Sequence, residues 1–129
     1  PKNICVVSLW PGAAKTELSN KKFEDADGKP KEGIAHAQSF TDGESVEYAG
    51  KAIVGLAGDR DVMKKTGRTL ITEDLGREYG FKDVDGVVPP NLRSLSFILR
   101  HMGYTRTAKM IPAWVKLPGW VLWAGTSRL

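Results

Sequence analysis

Ile4-Cys5-Val6-Val7-Ser8-Leu9-Trp10-Pro11-Gly12-Ala13-Ala14-Lys15-Thr16 begins as an apolar run and stops abruptly at Pro-Gly. Polar and apolar residues do not alternate along the run. Both faces of a strand here are therefore expected to be buried, which is the pattern of a parallel strand between helices. In open α/β sheets, ligands bind beyond the carboxyl ends of the strands. Pro11 and Gly12 fall at that end, and a Gly there lets a ligand come close to the backbone. Thr16 follows with a hydroxyl that both donates and accepts hydrogen bonds.

The chain has 129 residues, one domain's worth, with 41% hydrophobic and 26% charged residues. These proportions are those of an ordinary globular protein and argue against general disorder. The net charge is +4, and acidic residues are spread among the basic ones. Nucleic-acid binding needs clustered Lys and Arg, and the stretch from Arg100 to Lys109 holds only three of them. No nucleic-acid partner is expected. Cys5 is the sole cysteine and reads as a small core residue. A disulfide within the chain is excluded, which fits an intracellular, reducing compartment. No amino-terminal stretch resembles a secretory signal. Pro1 lies only a few residues before the strand, an odd place for a natural protein to begin.

Residues 19–43 are polar and are expected to form a mobile loop, with Asp25-Ala26-Asp27-Gly28-Lys29-Pro30 as a turn. That turn superficially resembles a calcium loop. It lacks the spaced carboxylates and closing Glu of such a site, so no metal is expected. Residues 45–58 predict a helix with Ser45 as N-cap and Val46, Ala49, Ile53, Leu56 and Ala57 on one face. Gly50 and Gly55 weaken it, each by about 1 kcal/mol relative to Ala, and suit a close approach to a sheet. Thr66-Gly67 turns into a second strand, Arg68 to Thr72, which completes a βαβ unit. A short helical turn is expected over Glu73 to Gly80. Asp85-Gly86 and Pro89-Pro90 mark turns. Leu95, Ile98, Leu99 and Met102 predict an amphipathic helix over 92–102.

The familiar catalytic and phosphate-binding motifs are missing. There is no G-x-G-x-x-G, no Gly-Lys-Ser/Thr phosphate loop, no H-E-x-x-H, no paired C-x-x-C and no G-x-S-x-G. His36 and His101 read as surface residues. Asp74 follows the second strand, where it can line a site or cap the next turn.

Val6-Val7-Ser8-Leu9-Trp10-Pro11-Gly12 with Thr16 resembles the late Pro-Gly motif of the short-chain dehydrogenases/reductases. Glu44-Ser45, Gly50-Lys51-Ala52-Ile53-Val54 and Leu56-Ala57 are similar to the helix before that family's last sheet strand. Lys65-Thr66-Gly67-Arg68-Thr69-Leu70 resembles the entry to that strand. Asp74-Leu75, Tyr79-Gly80, Asp83-Val84-Asp85-Gly86 and Ser94-Leu95-Ser96 extend the likeness in the same order, over nearly the whole chain.

The resemblance implies an α/β fold, the carboxyl-terminal portion of a Rossmann-type doubly wound parallel sheet. Residues 1–80 would complete a dinucleotide-binding domain, and residues 81–129 a helical, Trp-rich extension. It implies an oxidoreductase that moves hydride between NADP or NAD and a small-molecule carbonyl or alcohol. By the same analogy, the backbone around Pro11, Gly12 and Ala14 meets the nicotinamide carboxamide. Thr16 bonds the carboxamide or a phosphate, while Trp10 and Leu18 wall the substrate pocket, though either also suits the core. The family's catalytic Ser and Tyr-x-x-x-Lys pair precede the Pro-Gly motif and are absent here. The residues four after Tyr48, Tyr79 and Tyr104 are Ala52, Asp83 and Ala108. The chain is thus expected to be part of a longer enzyme, inactive and poorly folded alone. The last strand of many members ends near Gly-Gly. Thr72-Glu73-Asp74-Leu75 stands there instead, and no contacts are carried over from that region. A non-catalytic truncated isoform and a small α/β binding module acting through the tail remain the competing readings.

The tail from Met110 to Ala124 carries Trp114, Trp120 and Trp123. It suits packing on another domain, a partner subunit in a homo-oligomer, or a membrane surface such as that of the endoplasmic reticulum. It is too interrupted by Lys116 and prolines to span a bilayer, for which about 20 apolar residues are needed. Ser127-Arg128-Leu129 resembles a peroxisomal address at a free carboxyl terminus. Cytoplasm, the surface of the endoplasmic reticulum and peroxisome are the compartments these features suggest.

Overall fold

The apolar run folds as expected into a strand, but a short one. In the computed structural model, which describes residues 3–34, 37–112 and 114–121, β1 spans Ser8–Trp10. Expectations for His36, Trp123 and Ser127-Arg128-Leu129 lie outside the described residues, as does the His101 side chain. The architecture is α/β, with short parallel strand pairs and helices, as in part of a Rossmann-type sheet.

Two compact units divide between Pro89 and Pro90, whereas the sequence suggested a division after Gly80. The first unit holds β1, β2 (Ala14–Lys15), α1 (Glu17–Phe23), α2 (Ala37–Thr41), β3 (Glu44–Ser45), α3 (Val46–Gly58), β4 (Thr69–Ile71) and α4 (Thr72–Tyr79). Strands β1 and β4 pair in parallel, with Ser8 opposite Thr69, Leu9 opposite Leu70 and Trp10 opposite Ile71. Hydrogen bonds from Gly67 N to Val6 O (2.7 Å) and Ser8 N to Arg68 O (3.0 Å) begin the ladder. With α3 as the crossover, this is the predicted βαβ unit.

Burial corrects the first expectation. Val7 and Leu9 pack on a cluster of Ala52, Leu56 and Leu75, with Leu70 beside them. Ile4 and Val6 are 61% and 66% exposed. The period of a strand sends alternate side chains to opposite faces, and α3 and α4 cover only one face of this pair. Cys5 is half-buried, with its thiol donating to Val62 O at 3.1 Å.

The face of α3 is also rotated from the predicted one. Ser45 is the N-cap, accepting from Tyr48 N at 3.2 Å. Tyr48, Ala52 and Leu56 form the buried stripe, one turn apart, while Val46, Ile53 and Val54 are exposed. Packing follows the large ring of Tyr48, which the polar tip of the residue had disguised as a surface position. Phe81 meets that ring edge-on at 5.0 Å, which is why chain beyond Gly80 belongs to this unit.

Residues 19–43 are not one loop. A reciprocal capping box between Thr16 and Ser19 starts α1. Phe23 stacks on Phe40 at 4.2 Å, which ties α1 to α2. Between them the expected turn is present: the Asp25 carboxylate accepts from Asp27 N and Lys29 N. Helix α4 ends as predicted at Gly80, whose φ of 73° suits Gly alone without cost.

The second unit is helical. Helix α5 (Leu95–His101) packs on α6 (Thr105–Met110), and Ala108 is buried. Ser94 and Lys116 form an antiparallel bridge, and Leu117 N donates to Arg93 O at 2.8 Å.

Glycine positions give a direct check of the first unit. A methyl group on Gly76 would lie 2.0 Å from Tyr48 Oη, and one on Gly55 2.4 Å from the Tyr79 ring, while Gly50 has open space. Gly76→Ala and Gly55→Ala should each destabilise by about 1–3 kcal/mol. Gly50→Ala should stabilise by about 0.5–1 kcal/mol. Urea unfolding followed by circular dichroism reads all of these, and a stabilising Gly76→Ala would contradict the packing.

Candidate functional site

Pro11 and Gly12 leave the carboxyl end of β1, and the chain re-pairs at once. Ala14 and Lys15 of β2 lie parallel to Glu44 and Ser45 of β3. Glu44 N donates to Ala13 O at 2.9 Å. Gly43 allows this, because a methyl group there would sit 2.0 Å from Ala13 O. The Pro-Gly turn is thus bracketed by strands on both sides.

Thr16 sits at the head of α1 with its hydroxyl accepting from Ser19 N at 3.1 Å. Ser19 Oγ in turn accepts from Thr16 N at 2.7 Å and lies 3.1 Å from Ala14 O. Pro11 and Gly12 thus lie in the turn, Ala14 in β2 and Thr16 at the head of α1. Pro11 and Thr16 are exposed, and Gly12 and Ala14 half-buried. Trp10 is half-buried at the end of β1, and Leu18 stands 77% exposed on α1.

Beneath the turn lies a buried polar group that the motifs did not reveal. Glu44 is 1% exposed. Its Oε2 accepts from Thr72 Oγ1 at 2.6 Å, and a methyl group added to Gly12 would come 3.2 Å from the same oxygen. Burial pushes the Glu44 carboxyl above its ordinary range. The Thr72 hydrogen bond and the adjoining Gly12 backbone offset this in part, and the Asp83 charge adds to it. Tyr48 is fully buried, and its phenol is pushed up to about 12 by burial and by the charges of Glu73, Glu44 and Asp83. Glu44 Oε1 and Tyr48 Oη are buried with no hydrogen-bond partner among the described residues. Such a phenol is poorly placed to trade protons at neutral pH.

Asp83 is 7% exposed and accepts from Ser45 N at 2.7 Å, from Ser45 Oγ and from Val84 N at 2.7 Å. Burial works to raise its pKa. The three hydrogen bonds, with Lys51 nearby, outweigh it and hold the carboxyl below the usual range. Glu73 is buried at the start of α4 and pairs with Arg77. Asp74 stands in the first turn of α4, but the N-cap there is Ile71, so Asp74 does not occupy the capping position. Sequence reasoning passed over Glu44, Thr72 and Asp83. Their burial arises from the β2–β3 pair and the return of residue 83, and no local motif reports those.

Among the described residues, no group of His, Cys, Asp or Glu is placed to hold a metal ion. Nor is any helix there long and apolar enough to cross a membrane.

No family model matches the chain. Two curated relatives do. Human dehydrogenase/reductase SDR family member 1 is 33% identical over 127 residues, which covers 97% of this chain and 41% of the relative. The mouse protein of the same name is 32% identical over 124 residues, covering 92% of this chain and 39% of the relative. The chain spans about two fifths of the length of each.

The Asp83 network has a pH signature. The folded pKa lies below the unfolded value near 3.8, so the stabilisation is complete above that value and is lost as pH falls through the folded one. Asp83→Asn should flatten the acid limb of the stability profile. Asp83→Ala should cost about 1–2 kcal/mol at neutral pH, by removing the acceptor of the half-buried Ser45 donors. Denaturant midpoints across the acid range check both, and an unchanged acid limb in Asp83→Asn would rule out this role.

Proposed function

We propose that this chain, which belongs to the short-chain dehydrogenase/reductase family over the part it shares with these relatives, forms the nicotinamide-side rim of a dinucleotide cleft. The protein that carries it would move hydride between NADP or NAD and a small-molecule carbonyl or alcohol. One observation carries this: the Pro11–Gly12 turn leaves the carboxyl end of a parallel strand, beside the carboxyl end of its partner β4. That is where open α/β sheets take their ligands.

The turn fits a flat, polar amide edge. Pro11 is exposed, Gly12 and Ala14 are half-buried and carry small or no side chains, and Thr16 is exposed nearby. In this assignment those backbone groups and Thr16 hold the carboxamide or a phosphate and so select which ring face meets the substrate. Trp10 and Leu18 wall the substrate side. When bound, the nicotinamide supplies the hydride chemistry. Proton transfer is assigned to residues outside this chain. None of its tyrosines begins a Tyr-x-x-x-Lys pair, and the Tyr48 phenol is buried.

A second surface supports contact with a lipid interface. Met110, Trp114 and Trp120 are exposed by 83%, 76% and 70%, near Lys109 and Lys116. Amphipathic rings beside cations suit the boundary between lipid and water.

Two experiments use the longest natural reading frame that carries this chain. In the first, NADPH and NADH are titrated against wild type, Gly12→Val and Thr16→Ala. Gly12→Val should weaken cofactor binding by about tenfold or more and Thr16→Ala by less, while Leu18→Ala should move only the substrate KM. Failure of the wild type to bind either nucleotide would end the assignment. In the second, anionic liposomes are pelleted with wild type and with a Trp114→Ser, Trp120→Ser double variant. The variant should stay in the supernatant, and equal recovery of the two proteins would exclude the lipid contact.

A further inference from the structure

The most informative group outside the proposed cofactor contacts is Glu44. A buried carboxyl is costly unless it is well bonded, yet one Glu44 oxygen has no hydrogen-bond partner among the described residues. An ordinary core position would carry Leu or Gln instead. What Glu44 does hold is specific. Its backbone N–H donates to Ala13 O at 2.9 Å, and its carboxyl lies against Gly12. It therefore grips the Pro-Gly turn at two successive residues. A methyl group added to Gly12 would come 3.2 Å from Glu44 Oε2, so the carboxyl lies directly against the turn. The same oxygen accepts from Thr72 Oγ1 at 2.6 Å, and Thr72 is the first residue of α4, immediately after β4. One side chain thus ties the ends of two neighbouring parallel strands together beneath the rim.

We infer that Glu44 is a positioning residue for the cofactor rim. Its carboxyl fixes the Pro11–Gly12 turn against Thr72 and so sets the backbone groups that the nicotinamide carboxamide meets. The inference rests on the function proposed above. Glu44 does not touch substrate or cofactor; it acts through Gly12. Thr72 is its anchor, since its hydroxyl sets the plane of the carboxyl. A Gln at position 44 keeps an acceptor for Thr72 and its bulk against Gly12, whereas Ala removes both the Thr72 bond and the contact with the turn. Residue type at this position should therefore be read out in cofactor affinity before it is read out in turnover.

The test again uses the longest natural reading frame that carries this chain. NADPH and NADH affinities, cofactor KM, substrate KM and kcat are measured for wild type, Glu44→Gln, Glu44→Ala and Thr72→Val. Glu44→Ala should raise the cofactor Kd and KM by about tenfold, with substrate KM within about twofold of wild type. Glu44→Gln should restore cofactor affinity to within about threefold of wild type, and Thr72→Val should shift it in the same direction as Ala by a smaller factor. A purely structural role would lower the active fraction, and hence kcat, without moving cofactor KM. Where Glu44→Ala does not fold, Thr72→Val and Glu44→Gln decide. Wild-type cofactor affinity in Thr72→Val overturns the inference, and weakened affinity there with near wild-type affinity in Glu44→Gln supports it. A wild type that binds neither nucleotide removes the proposed function and this inference with it. A wild type that binds, with Ala and Val variants binding equally well, removes only the inference.

Discussion

Everything in the first unit is referred to the parallel register of β1 against β4. With Trp10 opposite Ile71, the next residues on the two strands are Pro11 and Thr72. Neither can continue the ladder as a strand: Pro lacks an N–H, and Thr72 begins α4. The two chains therefore part at the same level, and a polar gap opens between them. Glu44 fills it from the side, bonded to Thr72 at 2.6 Å. A slip of one residue would turn Val7 and Leu9 away from Ala52, Leu56 and Leu75 and dissolve the junction as well.

Helix α3 shows how the packing enforces that register. Its buried stripe of Tyr48, Ala52 and Leu56 is large, small, large. The small residue lets the helix sit low on β1, while Gly55 and Gly76 make room for the rings of Tyr79 and Tyr48. The helices approach each other through glycine–tyrosine contacts. Tyr79 Oη then donates to Asp59 at 2.8 Å, where Lys65 also approaches at 3.6 Å, so the far end of α3 is pinned to α4 and to the segment entering β4. At 3.6 Å that ion pair is long, which keeps its share of stability small. The apolar stripe carries the larger part.

Much of this was legible in the sequence. The strand ending at Pro11–Gly12, the Ser45 cap, the Thr66–Gly67 entry and the Gly80 stop all rest on local chemistry that a sequence states directly. What escaped was set by distant partners. The helical stripe was misassigned because Val46 and Ile53 look more apolar than Tyr48, yet the exposed pair faces outward and the tyrosine inward. The capping box at Thr16 and Ser19 hid α1 inside a polar stretch, because its third residue is Ser and not the usual Glu or Gln. Nothing local marks Glu44 and Asp83 as buried; strand pairing and the return of the chain bury them.

The proposed double use of Thr16, as helix cap and ligand contact, is compatible with its hydrogen bonds. A threonine hydroxyl has one proton and two lone pairs. One lone pair takes Ser19 N in the cap, and the proton lies toward Ser19 Oγ at 3.2 Å, a long and weak contact. Ser19 does not depend on that proton. Its own oxygen accepts from Thr16 N at 2.7 Å, and its proton can reach Ala14 O or Thr16 O, at 3.1 and 2.9 Å. Thr16 can therefore turn its proton outward, or accept a second donor, while the helix keeps its cap. A ligand at the Pro-Gly rim gains a hydroxyl already fixed in space by the start of α1, and the helix gives up only its weakest bond. Serine at position 19 is what makes the sharing cheap, because a carboxylate there would bind the Thr16 proton firmly and set a charge beside the rim.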